Sequence, residues 1–304
     1  MLYRHFPKIA NEEFSILTLA LAPRNAPERA ARESDTSVTV PPAPARKRHA
    51  DLVAEPDRTA GLLALAAERG INLVWAGNDA ARAREVAETI ARAGLANAFW
   101  RVIEFTGTAP EALTTFLAEA GRTERDILLV RATGAEEAST LETAGVFRAA
   151  ERARAGGVVA HAGWSAPADA RAILACLDAF PGADLWACEY GYPDFGIADA
   201  IGAAAARELS FISLDPFAGG ALERVPPAVH EAFRVASVPR SHDEWALRGV
   251  WESQDLVSAA VYPESVEDLV RKAILAEGGR ANSLPAKELS VLAEAAALFR
   301  SGRK

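Results

Sequence analysis

Several residues able to move protons or hold a ligand stand at or near the ends of short apolar runs in this sequence. Glu189 and Tyr190 close the run at 184–189, Asp215 follows 211–214, Arg131 follows 126–130, and His161 sits in 158–162. Asn78 and Glu104 occupy comparable places on earlier runs. A carboxylate pair such as Glu189 and Asp215, flanked by Tyr190 and Arg131, can divide acid and base roles on a polar substrate. Each residue also has a plainer use. His161 can pack as a core histidine, and Glu189 and Asp215 can form salt bridges within loops. In the stretch Glu189-Tyr190-Gly191-Tyr192, the two rings either stack on a ring-bearing ligand or bury their own loop. The five histidines are scattered, and neither His-Glu-x-x-His nor a cysteine pair at ligand spacing occurs, so no metal centre is expected. Ser241-His242-Asp243 is contiguous rather than a spatial triad, and reads as a helix cap.

Elements that could position these residues follow from the hydrophobic pattern. Of the 304 residues, half are hydrophobic and 24% are charged. From residue 57 onward, short apolar runs at 71–75, 99–105, 126–130, 158–162, 184–189, 211–214 and 256–261 are separated by helical patterns at 57–69, 79–92, 110–120, 137–155, 166–180, 197–208 and 243–251. A further run at 15–21 precedes them, and helices at 265–276 and 285–299 end the chain. Strands buried on both faces lose the alternation of period two, which is how these runs read. Eight β–α units in about 300 residues predict a single α/β domain, a (β/α)8 TIM barrel over residues 1–304. A doubly wound sheet carries a glycine fingerprint after its first strand, and Ala22-Pro23-Arg24-Asn25 stands there instead. Residues 22–56 interrupt the pattern with Pro23, Pro27, Pro41, Pro42, Pro44 and Pro56, around Arg46-Lys47-Arg48. They read as a long solvated loop or insertion, with a small strand at 37–40, or as a proline-rich docking segment.

Charge and composition narrow the function. With 41 acidic against 33 basic residues, the net charge of −8 disfavours a nucleic-acid partner. Two cysteines, Cys176 and Cys188, rule out a disulfide framework. No apolar run approaches the roughly 18 residues of a membrane span, and no secretory leader opens the chain, so a soluble cytoplasmic protein is expected. A small-molecule ligand at the C-terminal barrel face is expected, and a protein partner stays open.

Several segments resemble the aldo-keto reductase superfamily. Gly70-Ile71-Asn72-Leu73-Val74 is similar to its second strand, Gly157-Val158-Val159-Ala160-His161-Ala162-Gly163-Trp164-Ser165 to its fifth, and Asp184-Leu185-Trp186-Ala187-Cys188-Glu189-Tyr190 to its sixth. Asp215-Pro216-Phe217-Ala218-Gly219-Gly220-Ala221-Leu222 looks like its seventh-strand phosphate loop. Trp245-Ala246-Leu247-Arg248, Ser265-Val266-Glu267-Asp268-Leu269 and Leu284-Pro285-Ala286-Lys287-Glu288-Leu289 resemble its C-terminal pattern, and Tyr3-Arg4-His5-Phe6-Pro7-Lys8 its N-terminal hairpin. The resemblance implies an aldo-keto reductase-like barrel that reduces carbonyls with NADPH through an Asp, Tyr, Lys and His tetrad. It also implies cofactor contacts from Ser165 and from Pro216, Phe217, Gly219 and Gly220.

At the four implied tetrad positions this chain has other residues. Trp75 stands for Asp, Ala80 or Ala81 for Tyr, Thr106-Gly107 for Lys, and Arg131 for His. No tyrosine occurs between Tyr3 and Tyr190, and no lysine between Lys47 and Lys272, so a small shift of alignment restores neither. Ala166, Ala187 and Leu214 replace the implied nicotinamide contacts, and Glu264 stands where an Arg would clamp the 2′-phosphate. Ser165 and the small residues of the 216–220 loop are kept, although the loop also reads as a tight barrel turn. Three readings follow. The barrel is a non-redox binding or regulatory protein, or an enzyme with acid–base chemistry carried by Glu189, Tyr190, Asp215, His161 and Arg131. The third is an NADPH-dependent reductase with a relocated proton donor, drawn from Tyr190, Tyr192 or His161.

Overall fold

The structure is a computed structural model that describes residues 1–9, 11–21, 56–223 and 225–301. Two short antiparallel strands, β1 (Tyr3–Arg4) and β2 (Phe14–Ser15), form an N-terminal ribbon. Eight parallel strands follow: β3 (Leu17–Ala20), β4 (Leu73–Gly77), β5 (Trp100–Phe105), β6 (Asp126–Arg131), β7 (His161–Ala166), β8 (Leu185–Cys188), β9 (Phe211–Ser213) and β10 (Leu256–Val261). They close into a barrel in which β10 pairs with both β9 and β3. Helices run between them: α1 (Pro56–Glu68), α2 (Ala80–Arg92), α3 (Pro110–Glu119), α4 (Ala135–Ala144), α5 (Val146–Ala155), α6 (Ala170–Ala179), α7 (Ala198–Ala205), α8 (Pro227–Arg234) and α9 (His242–Trp251), and α10 (Val266–Ala276) and α11 (Ala286–Ser301) follow the last strand. This is the (β/α)8 TIM barrel that the alternation predicts. Apart from Pro56, which starts α1, the proline-rich stretch and its expected strand at 37–40 lie outside the described residues.

Alternate side chains of each strand divide the apolar residues into two layers. Leu73 and Trp75, Trp100 and Val102, Ile127 and Leu129, Leu185 and Ala187, and Ile212 and Leu214 pack together inside the barrel. Val74, Ile103, Phe105, Leu128, Val130, Trp164, Trp186 and Phe211 pack outward into the larger cluster under the helices. Phe6 and Phe14 of the N-terminal ribbon plug the end at which the strands begin, with Phe14 and Trp100 rings 5.6 Å apart. Arg4 pins that ribbon by donating to the carbonyls of Trp251, Ser253, Leu256 and Gly279.

Three elements differ from the sequence pattern, each for a local reason. The helix expected over 137–155 is two helices, α4 and α5, because Gly145 takes φ +81° between them. Helix α8 is not among the expected helices, its eight residues falling between the patterns at 211–214 and 243–251. The fifth barrel strand runs from His161 to Ala166 instead of 158–162. Gly163 looks like a terminator in sequence, yet it lies within the strand, where a Cβ would meet the Leu185 carbonyl oxygen at 2.0 Å. The glycine is there to let β7 lie against β8.

Two substitutions test this framework. Gly163→Ala forces backbone apart in the barrel wall, and overpacking of this kind costs roughly 1–3 kcal/mol or more in chemical unfolding. Arg101 is 1% exposed, chelates Asp126 through two bonds at 2.8 and 2.7 Å, and donates to the Ala83, Ala120 and Gly121 carbonyls. Arg101→Ala leaves Asp126 buried without its cation and is expected to cost about 3–5 kcal/mol.

Candidate functional site

The end of the barrel at which the strands finish carries a buried polar group of four side chains. Glu104 lies near the end of β5 and is 0% exposed, and Arg131 ends β6 at 7%. Ser165, also fully buried, pairs with Arg131 in the sheet register. Glu189 follows β8, and its side chain is 14% exposed. Arg131 Nη2 donates to Glu189 Oε1 at 3.2 Å, and its Nη1 lies 3.7 Å from Glu104 Oε1. Ser165 donates its hydroxyl to that same Glu104 oxygen at 2.5 Å. One guanidinium therefore spans two carboxylates at the barrel mouth, and in a low-dielectric setting such an arrangement is held by direct contacts, because water is not there to solvate either sign.

Arg131, Glu189 and Ser165 of the expected site residues are thus brought together, through Glu104. Asp215 is half-buried just past β9, where its carbonyl accepts the Ala218 amide and starts the 216–220 turn. His161 opens β7 instead of ending it, so it lies at the opposite end of the barrel from Arg131. Its ring packs on Trp100 at 5.2 Å, and Nδ1 lies 3.6 Å from Asp184 Oδ2. The three-residue displacement of β7 is the physical cause of that correction. Tyr190 also leaves the mouth. Its ring stands edge-on to Phe211, the last of a ladder in which Trp164 stacks on Trp186 and Trp186 packs tilted against Phe211, in register across β7, β8 and β9 beneath the helices. Tyr192 is fully buried, with its Cβ 2.8 Å from the place where a Cβ on Gly249 would stand. The two aromatics of that loop therefore bury the loop. Burial raises the pKa of both phenols, with Cys188 and Asp194 adding to the rise at Tyr190, which makes each a weaker proton donor at neutral pH.

Of two further mouth residues, Glu104 was among the strand-end candidates of the sequence, whereas Tyr262 was not. Glu104 had a signal, being a carboxylate in an otherwise apolar run, but its inward direction depends on its parity with Trp100 and Val102. Tyr262 directly follows β10 and packs against the inner apolar layer, two residues beyond Ala260 of the same layer. Strand parity, known only once the strand bounds are fixed, is what selects it.

The loop expected to hold a phosphate is tightly wound. Ala218, Gly219 and Gly220 all take positive φ, at 48, 71 and 84°. The amides of Ala218, Gly220, Ala221 and Leu222 donate to the carbonyls of Asp215, Phe217, Ala218 and Phe217 respectively. Pro216 and Phe217 are buried. Lys272 lies 4.9 Å from the Phe217 ring centroid and is bound to Asp268 at 2.8 Å. Amide donors turned back on their own loop do not fit the phosphate of a dinucleotide, which needs them pointing outward. Among the described residues no group of three or more histidine, cysteine or acidic side chains could hold a metal ion. No helix among them is long and apolar enough to cross a membrane.

Known structures share this architecture. The chain is similar to an aldo-keto reductase from Bacillus halodurans in its apo form (14% identity, TM-score 0.65, 100% of both chains). It is similar also to a provisionally assigned aldo-keto reductase from Pseudomonas aeruginosa (17% identity, TM-score 0.64, 91% of this chain and 95% of that one). A thermostable aldo-keto reductase solved with the inhibitor epalrestat matches at 12% identity and TM-score 0.64, over 97% of this chain and all of that one. No family model and no curated protein sequence matches the chain. The fold is the (β/α)8 barrel seen in aldo-keto reductases.

Arg131→Met removes the cation between Glu104 and Glu189 and is expected to destabilise the barrel by about 3–5 kcal/mol in chemical unfolding. Combining it with Glu104→Gln should restore part of that loss, the coupling expected of groups in contact. At the other end, hydrogen bonds from His161, Arg154 and the Ala162 amide outweigh burial and hold the Asp184 carboxyl below its ordinary pKa. A depressed carboxyl stabilises the fold above the ordinary aspartate pKa of about 4, and that contribution is lost as pH falls. Asp184→Asn should therefore be less stable than wild type at pH 7, on the order of 2 kcal/mol, with the difference closing in unfolding curves taken below about pH 4.

Proposed function

We propose that the barrel mouth binds a small polar molecule and that Arg131 and Glu189 act on it by hydrogen bonding and acid–base chemistry, without NADPH-dependent carbonyl reduction. The observation that carries this reading is the Arg131 guanidinium held between Glu104 and Glu189 where barrel active sites form. Glu189 is the more accessible carboxylate of the two, with its side chain 14% exposed against 0% for Glu104. A hydroxyl or amine entering at the 3.2 Å Arg131–Glu189 contact would meet a fixed donor and a carboxylate able to take its proton. Glu104, bonded to Ser165, positions the guanidinium from behind. A purely binding or regulatory role would use the same contacts without turnover.

Support for the loss of reduction comes from the residues around this group. Trp75 lies in β4, Thr106 follows β5 and Arg131 ends β6, and these are the residues that stand where the resemblance would put the tetrad's Asp, Lys and His. The closed 216–220 loop points the same way. A fluorescence titration with NADPH and NADH, together with consumption of NADPH on a generic aldehyde, tests it. No submicromolar binding and no turnover are expected, and either one overturns the reading. A thermal-shift screen of sugars, polyols and hydroxy acids should give ligands whose shift disappears in Glu189→Gln.

A reductase with a relocated proton donor is the second reading, favoured by the reductase fold and by Tyr262, a phenol packed on the inner layer at the mouth. In that case Tyr262→Phe lowers aldehyde turnover by about 100-fold or more.

A further inference from the structure

Two histidines outside the Arg131 group face each other across a pair of helices. His230 lies in α8, and His242 is the first residue of α9. His230 Nδ1 and His242 Nε2 stand 3.2 Å apart, with the ring planes at 90°. We propose that this pair is a two-imidazole site for a divalent transition-metal ion of the Zn2+, Ni2+ or Cu2+ class.

Geometry is the first argument. With metal–nitrogen distances of about 2.0–2.1 Å, two ligands of a tetrahedral ion lie about 3.3–3.4 Å apart. The two nitrogens thus already span one edge of such a coordination sphere. Without metal, one imidazole N–H donates to the other ring's lone pair; on binding a metal, that donor ring takes its other neutral tautomer, its proton moving through solvent to the ring's second nitrogen, so both facing nitrogens offer a lone pair.

Rigidity is the second argument. The His242 ring lies 6.0 Å from that of Phe233, and Phe233 stacks on Trp245 at 4.9 Å and 9°. The Arg240 guanidinium sits over the Trp245 ring at 4.8 Å and forms an ion pair with Glu288 at 2.8 Å. Ser241 caps α9 by accepting the Glu244 amide, and the His230 amide donates to the Pro226 carbonyl. Both imidazoles are therefore carried on backbone fixed by buried packing, so little conformational freedom is lost when an ion joins them.

Chemistry sets the ion. Neighbouring carboxylates are engaged elsewhere, Glu231 with Arg234 at 2.8 Å and Asp243 with Arg271 at 2.6 Å. The protein offers two imidazole nitrogens, and the exposed position of His230 leaves the other coordination places to water or a ligand from solution. Imidazole donors favour Zn2+, Ni2+ and Cu2+ and give little to Mg2+ or Ca2+. The proposal is independent of the function assigned to the mouth.

The test uses the full chain without an affinity tag. Thermal unfolding and calorimetric titration are run with Zn2+, Ni2+ and Mg2+. Zn2+ or Ni2+ at about tenfold excess over its dissociation constant should raise Tm by roughly 3 °C, whereas Mg2+ should not. His230→Gln and His242→Gln should each abolish that shift and weaken binding about tenfold or more, while His5→Gln keeps both. Circular dichroism and the metal-free Tm establish that the variants are folded. A wild-type metal shift retained in either glutamine variant, or no binding of Zn2+ or Ni2+ up to about millimolar concentration, overturns the proposal.

Discussion

A charge enclosed in a barrel must be answered by another charge or by a hydrogen bond within reach, because the surrounding apolar layers supply no water. Glu104 is fully buried inside the strand wall, and its answer comes from Ser165 on β7 and Arg131 on β6. Arg131 in turn reaches Glu189 past β8. Four consecutive strands are thereby tied together at the mouth, and each side chain's direction is fixed by the next. Arg101 obeys the same constraint on the outer face of β5, where Asp126 and three backbone carbonyls surround it. These two arginines hold the same part of the barrel wall, one facing in and the other out.

The mouth and the loop beside it have different characters. At the mouth, polar groups are arranged between strands and one carboxylate stays within reach of solvent. In the 216–220 loop, most amides close on the loop's own carbonyls, and Lys272 beneath it is neutralised by Asp268. The Asp268 carboxyl is held below its ordinary pKa, since the pull of Lys272, the Glu264 amide and Arg271 outweighs burial. On the proposed reading, Arg131 and Glu189 are the groups that act on a ligand. The aromatic ladder of Trp164, Trp186, Phe211 and Tyr190 supports them from the helix side and takes Tyr190 out of the site.

Much of the fold was legible because strands buried on both faces leave continuous apolar runs, and their alternation with helical segments carries topology. The strand at 256–261 was read with its observed bounds. The fifth strand was displaced because Gly163 reads as a stop, whereas its actual role is close approach to Leu185. That single displacement moved His161 from the expected mouth to the closed end, beside Trp100 and Asp184. Glu189 and Arg131 stand at strand ends as expected, because each closes a well-marked run. Tyr190 was misplaced because adjacent residues at a strand end can face opposite layers, and sequence spacing does not say which faces inward.

By itself, the sequence determined the eightfold β–α alternation, the acidic balance and which residue types are available for chemistry, since these follow from composition and periodicity. Tertiary structure alone decided which polar residues meet. Arg131 finds Glu104 and Glu189 through strand register and the inward parity of β5 and β6. His230 finds His242 because α8 and α9 pack on a shared aromatic stack. Contacts of this kind depend on where side chains point after the barrel closes, a property of the packed chain that no local pattern encodes.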